Sequence, residues 1–164
     1  FRQYVLPPVL VQRLQVKVGG KTLAAPVLND ILFCANGPAV ISRYQLHWPD
    51  GAELQRSSGV RVATPAGSTG ALRSAGGPVL PLTARQFAFY VRERYAPPGR
   101  SIRVRSAVLT HEDELAIECR TEDASVFLDG SHWRTPVPFG QTVRFSLHPQ
   151  PLHLIRGRSA SGAA

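Results

Sequence analysis

The sequence predicts a mainly β domain, a sandwich or a barrel. Three observations predict it. Apolar residues recur at every second position in several short stretches, turn-forming Gly, Pro and Asp separate those stretches, and only two segments resist a strand reading.

In chain order, Leu14, Val16 and Val18 alternate with Arg13, Gln15 and Lys17. Gly19-Gly20 follows, a pair suited to a tight hairpin turn that needs positive φ. Further turns are expected at Pro49-Asp50-Gly51, Pro97-Pro98-Gly99 and Asp129-Gly130. A short strand is expected at 60–63. Ile102, Val104 and Val108 share one parity, with Arg103 and Arg105 on the other. Leu115, Ile117 and Cys119 alternate with Glu114 and Glu118, and Val143, Phe145 and Leu147 alternate with Thr142, Arg144 and Ser146. Leu152 and Leu154 flank His153. Each pattern reads as a strand with one face on a core and one in water. The segment 83–91 is ambiguous: TARQ could start a helical turn, and FAFYVR could be a buried strand. The segment 64–78 has no strand period and reads as a turn, a short helix and a glycine-rich exit. No repeat or linker interrupts the chain, so one domain is expected over 1–156, with a frayed tail at 157–164.

Composition narrows the function classes. The 164 residues are enough for one domain with a proper core, and 43% hydrophobic against 18% charged excludes global disorder. Cys34 and Cys119 cannot form a disulfide framework or a four-thiolate zinc site, and no histidine has zinc-ligand spacing to them. No apolar run approaches the roughly 18 residues of a membrane helix, and no signal peptide opens the chain. A soluble, intracellular protein without membrane or nucleic-acid partners is expected. The chain opens on Phe1 and contains no Met, which reads as part of a longer product. The net charge of +8 is carried almost wholly by arginine; GC-rich coding gives such a bias, and so does an anionic partner. Six of the eleven acids fall between Glu112 and Asp123, as in a solvated turn.

The segment 57–78, SSGVRVATPAGSTGALRSAGGP, carries the chemistry. A short strand enters the Gly67-Ser68-Thr69 turn. Ser68 or Thr69 could cap a helix beginning near Gly70, whose unpaired N–H groups would suit ribose hydroxyls or phosphate oxygens. Gly76-Gly77 would end that helix.

The string TPAGSTGALRSAGGP resembles the signature of the NAD kinase family, approximately TPTGSTAYSLSAGGP, without a gap. Leu28-Asn29-Asp30 before Ile31-Leu32-Phe33 resembles the family's Asn-Glu/Asp motif, and Phe127-Leu128-Asp129-Gly130 its late I-D-G turn. SSGVRV, SAGG and YVRE look most like the plant-type NADH kinase branch. The resemblance implies the family's carboxy-terminal β-rich, sandwich-like domain, with one short helix after the GST turn and without the amino-terminal α/β domain. It implies transfer of the terminal phosphate of ATP, with Mg2+, to the adenosine ribose 2′-hydroxyl of NAD or NADH. Asn29 would hydrogen-bond the nucleotide, and Asp30 would sit beside it. Thr69, Gly70 and Ser74 would line the pocket, and Asp129 would approach from a neighbouring turn. A small-molecule dinucleotide and a homo-oligomer are the implied partners.

Two departures bear on activity. Thr69-Gly70-Ala71 stands where the family has Thr-Ala-Tyr, so the stacking tyrosine is absent, a contact worth about 1–3 kcal/mol. The Gly-Gly-Asp-Gly motif, whose aspartate is the family's proposed general base, has no counterpart in these residues. The chain is therefore expected to bind substrate, to hold no catalytic residue or metal ligand of its own, and to turn over little alone. The competing readings are a lipid kinase relative, a basic anion-binding module, and a dinucleotide-sensing paralogue without catalysis.

Overall fold

In the computed structural model, which describes residues 7–96, 98–99 and 101–155, the period-two stretches become strands of two six-stranded antiparallel sheets. The first sheet contains β2 (Leu14–Val18), β3 (Lys21–Thr22), β5 (Ser42–Trp48), β6 (Gly51–Ser57), β10 (Leu115–Cys119) and β13 (Thr142–Leu147), in the order β3-β2-β13-β10-β5-β6. The second contains β4 (Asp30–Ala35), β7 (Gly59–Ala63), β8 (Gln86–Arg92), β9 (Ser106–Thr110), β11 (Ala124–Leu128) and β12 (Trp133–Val137), in the order β12-β11-β4-β7-β8-β9. The strands β1 (Val9–Val11) and β14 (Leu152–Leu154) pair as a separate ribbon.

One core joins the sheets. Leu14, Val16, Leu46, Ile117 and Phe145 from the first pack with Ile31, Phe33, Val60, Phe87 and Val126 from the second. Phe33 meets Tyr44 across the layers edge to face, ring centroids 5.7 Å apart, a favoured aromatic geometry. The alternation predicts this: on β2 the Leu14, Val16 and Val18 positions are buried, while Gln15 and Lys17 are partly exposed. Gly19 and Gly20 turn β2 into β3 with φ of 54° and 85°, and Asp129-Gly130 joins β11 to β12 with φ of 48° and 113°.

The structure corrects four local expectations. The ambiguous FAFYVR run is strand β8, buried on both faces because Phe87, Phe89 and Val91 enter the core while Ala88 and Tyr90 enter a second cluster with Ala63, Leu72 and Leu80. The parity of Ile102, Val104 and Val108 does not persist. Val104 is buried, the chain continues irregularly to Arg105, and in β9 the inward residue is Leu109, leaving Val108 exposed opposite Ala88. Leu152 and Leu154 are exposed because β14 belongs to the ribbon rather than to a core sheet. The helical turn starts earlier than expected, at α1 (Pro65–Gly67), with Thr64 as its cap. Proline is favoured at a first helical position and threonine before it. A π-type turn follows over Ser68–Leu72, interrupted at Gly70 (φ −92°, ψ −121°). Gly76, at φ 87°, ends the segment, as read, and the Gly77 N–H donates to the Leu72 carbonyl at 2.9 Å. Pro97 and the tail at 157–164 lie outside the described residues.

Candidate functional site

The site is built around a turn at the head of β4. Asp129, at the tip of the β11–β12 hairpin, turns its carboxylate onto three consecutive backbone N–H groups. Leu28 donates to Oδ2 at 2.8 Å, and Asn29 and Asp30 donate to Oδ1 at 2.6 and 3.2 Å. In return the Asp129 N–H donates to the Asp30 carbonyl at 2.9 Å. A left-handed φ is tolerable for aspartate, whose short side chain bonds locally, and here it aims both oxygens at the turn.

The other face of the same turn is held by the signature segment. The Thr64 hydroxyl donates to the Leu28 carbonyl at 2.6 Å and accepts from the Gly67 N–H at 3.2 Å, and the Thr64 N–H donates to the Asn29 carbonyl at 3.0 Å. Gly67 lies directly on Asn29: a Cβ there would come within 2.0 Å of the Asn29 carbonyl oxygen. Ser68 donates from its hydroxyl to the Pro65 carbonyl at 2.7 Å and accepts from the Leu80 N–H at 2.9 Å, tying the helical segment to its exit.

The structure thus joins Asn29, Asp30 and Asp129 by direct hydrogen bonds and starts the segment bearing Thr69, Gly70 and Ser74 on the same turn. The Asn29 side chain is exposed, and so are Thr69, Gly70 and Ser74. The hydroxyls of Thr69 and Ser74 bond locally, to the Ala66 carbonyl at 3.3 Å and the Gly70 carbonyl at 3.2 Å. The Asp129 oxygens are engaged by backbone N–H groups, so this residue shapes the turn that presents Asn29.

Sequence reasoning missed Arg61 and Thr64, the latter legible as a Thr-Pro cap. Arg61 carries no motif; it matters because β7 lies beside β4, where its guanidinium pairs with the Asp30 carboxylate. Both side chains are largely buried, at 18% and 15% exposure, so the pair is partly shielded from solvent.

Beyond this pair a cleft of about 490 Å³ opens on the outer face of the second sheet. Asp30, Arg61, Leu32, Cys34, Phe127 and Gly130 line it. Burial pushes the Cys34 thiol up, and the charges of Arg92, Arg61 and Arg134 pull it partly back. Such a thiol is a poor nucleophile near neutrality. Among the described residues no group of three or more His, Cys, Asp or Glu is placed to hold a metal ion. The arrangement is suited to binding: an exposed amide, an ion pair, a helical turn and an apolar recess on one side of a sheet.

This geometry can be set beside known proteins. Over 154 residues, 90% of its length, the chain is 33% identical to the protein named "Probable NADH kinase" from Oryza sativa subsp. japonica. The chain belongs to the NAD kinase family. It is also 33% identical over 106 residues to an NADH kinase of Arabidopsis thaliana, and 41% identical over 71 residues to an NAD kinase of Methanopyrus kandleri. No family model matches the chain. Its fold is that of a solved NAD kinase family member, the yeast NADH kinase crystallised with NADH, at a TM-score of 0.75 over 93% of this chain and 14% identity. The chain spans about half the length of the rice relative and of the yeast structure, 47% of each, and 33% and 25% of the other two relatives. The two-sheet architecture agrees with the β-rich domain of NAD kinases that the sequence resembles.

Proposed function

We propose that this chain is the dinucleotide-binding part of an NAD(H) kinase, which transfers the terminal phosphate of ATP to the adenosine ribose 2′-hydroxyl of NAD or NADH. One observation carries the reading: the three segments that resemble the family's motifs, far apart in sequence, converge on the Leu28–Asp30 turn through Asp129 and Thr64.

Asn29 presents its amide to the nucleotide, able to donate and accept at once. Asp30, fixed by Arg61, stands beside it at the ribose. Thr69, Gly70 and Ser74 form the exposed edge over which the adenosine lies. Magnesium arrives with the phosphates of ATP and neutralises their charge in the transfer. The residues here hold and orient the acceptor and lack the family's Gly-Gly-Asp-Gly base, so the isolated chain binds without efficient turnover. The complete enzyme is a homo-oligomer.

Titration calorimetry of the chain with NAD, NADH and single-stranded RNA tests this. The expected result is saturable binding of a dinucleotide, weakened about tenfold in Asn29→Ala, the loss of one well-placed hydrogen bond. Binding of RNA alone, falling steeply with salt, would replace the reading with a basic anion-binding module. Phosphorylation of NADH by this chain at enzyme-like rates would overturn the missing-base argument.

A further inference from the structure

The end of the sandwich away from the Leu28–Asp30 turn carries a second cleft, of about 540 Å³. The turn stands at the head of β4 and this cleft just past its other end, so the length of the strand, about 20 Å, separates them. Among the described residues the two clefts share only Gly37. Three connections form the second cleft, and backbone bonds hold its walls. The Arg120 N–H donates to the Arg43 carbonyl at 2.9 Å, and the Arg43 N–H donates to the buried Thr121 hydroxyl at 2.9 Å, so the two exposed arginines sit side by side. The Asn36 N–H donates to the Asp123 carbonyl at 3.0 Å. The Gly140 N–H donates to the Cys119 carbonyl at 2.8 Å and fixes the loop that bears Phe139.

The lining carries both signs of charge and an apolar surface. Arg120 is bridged to Glu118 at 2.8 Å, but Arg43 makes no salt bridge among the described residues. Glu122 is exposed, and Asp123 gives one carboxylate oxygen to the Asn36 amide. Phe139 and Val40, 59% and 52% exposed, add the apolar surface. A bare anion is opposed here by two carboxylates, and a bare cation by two guanidiniums. A matching ligand therefore carries an anionic group, hydrogen-bond donors and a flat ring. A nucleoside monophosphate has all three. Its phosphate suits a guanidinium fork, its ribose hydroxyls donate to carboxylates, and its base stacks on a phenyl ring. The volume lies within the range of small-ligand sites. We propose that this cleft is a mononucleotide site, with Arg43 and Arg120 on the phosphate, Glu122 and Asp123 on the ribose and Phe139 on the base. It is separate from the dinucleotide reading above and does not rest on it.

Calorimetry with AMP on the Asn29→Ala chain isolates this cleft from the turn. AMP is expected to saturate one site. Adding Arg43→Gln or Phe139→Ala, both at exposed side chains, should weaken it about tenfold, the loss of one charge-assisted hydrogen bond or one stacked base. Thermal midpoints equal to that of the Asn29→Ala chain would show that these losses are local. Adenosine and ribose 5-phosphate, each lacking one half of the recognition, should bind about tenfold more weakly than AMP or worse. No binding of AMP, or binding that either substitution fails to weaken, would overturn the site. Ribose 5-phosphate and inorganic phosphate binding as tightly as AMP would overturn the nucleotide and leave a simple anion site. Dinucleotide binding at the turn, present or absent in the parent chain, bears on the earlier reading alone.

Discussion

Asp129 shows how much one side chain can organise. Its two oxygens accept from three consecutive N–H groups on a turn about a hundred positions earlier in the chain. Hydrogen bonds to an ionised acceptor are stronger than neutral ones, and here alanine would also have to adopt a left-handed φ. Asp129→Ala is therefore expected to cost about 1–3 kcal/mol, and Asp129→Asn, which keeps one acceptor and tolerates the backbone, distinctly less. Urea unfolding midpoints measure both, and equal losses would mean that the carboxylate is not the anchor. The residue scale is also where sequence reading reached its limit. Asn29, Asp30 and Asp129 were legible as motif residues. Arg61 was not, because its role depends on the diagonal neighbour that register supplies: Asp30 lies opposite Ala63 and Leu32 opposite Arg61.

At the scale of elements, the strands that were legible are those with one wet face. β2 and β13 alternate openly because their inward residues are aliphatic or aromatic. β8 was ambiguous because both faces are covered, by the core on one side and by Leu72 and Leu80 on the other. β5 escaped notice for the opposite reason: two of its fully buried positions are Ser42 and Tyr44, whose polar atoms find internal partners. The Tyr44 hydroxyl lies 2.7 Å from the Ser57 hydroxyl, and Ser42 accepts from the Ala35 N–H at 2.9 Å. Burial holds the Tyr44 phenol far above its ordinary range, so it stays protonated throughout the working range of pH. The helical segment depends on Thr64, fully buried and bonded on both sides. Thr64→Val keeps the shape but removes the cap and strands the Leu28 carbonyl, an expected loss of about 1–3 kcal/mol. Thr64→Ser should recover most of it. Thermal unfolding of the two variants checks this, and a valine variant as stable as the parent would show that the cap is dispensable.

The described residues share a main core between two sheets, and their acid stability is tied to a carboxylate away from the site. Burial alone would raise the Glu53 carboxyl, but the Arg103 N–H, the Gln55 amide, the Val104 N–H and the Arg103 charge outweigh it and hold the group below its ordinary value. The Arg103 N–H, donating to Glu53 at 3.0 Å, fastens β6 to the irregular run before β9, and the Gln55 amide braces the same carboxylate from within β6 at 2.8 Å. With the folded value depressed, the ionised form stabilises the fold at neutral pH. That contribution is lost as pH falls from the unfolded glutamate value of about 4.3 through the lower folded one. Glu53→Gln should be less stable than the parent at pH 7 and should converge with it below about pH 4. Urea titrations across that range decide, and a constant gap down to pH 3 would sink the assignment.

The turn at Leu28–Asp30 has no fastening of its own. Its amides are satisfied by the tip of one hairpin and its Leu28 and Asn29 carbonyls by the cap of another segment, and both arrive only when β4 has paired with β11 and β7. The turn therefore cannot form ahead of this sheet or outlast it. On the proposed reading, a dinucleotide seated on Asn29 would stabilise the folded domain by mass action. By the same linkage, a flaw anywhere in the core is felt by the ligand as distance from a finished site.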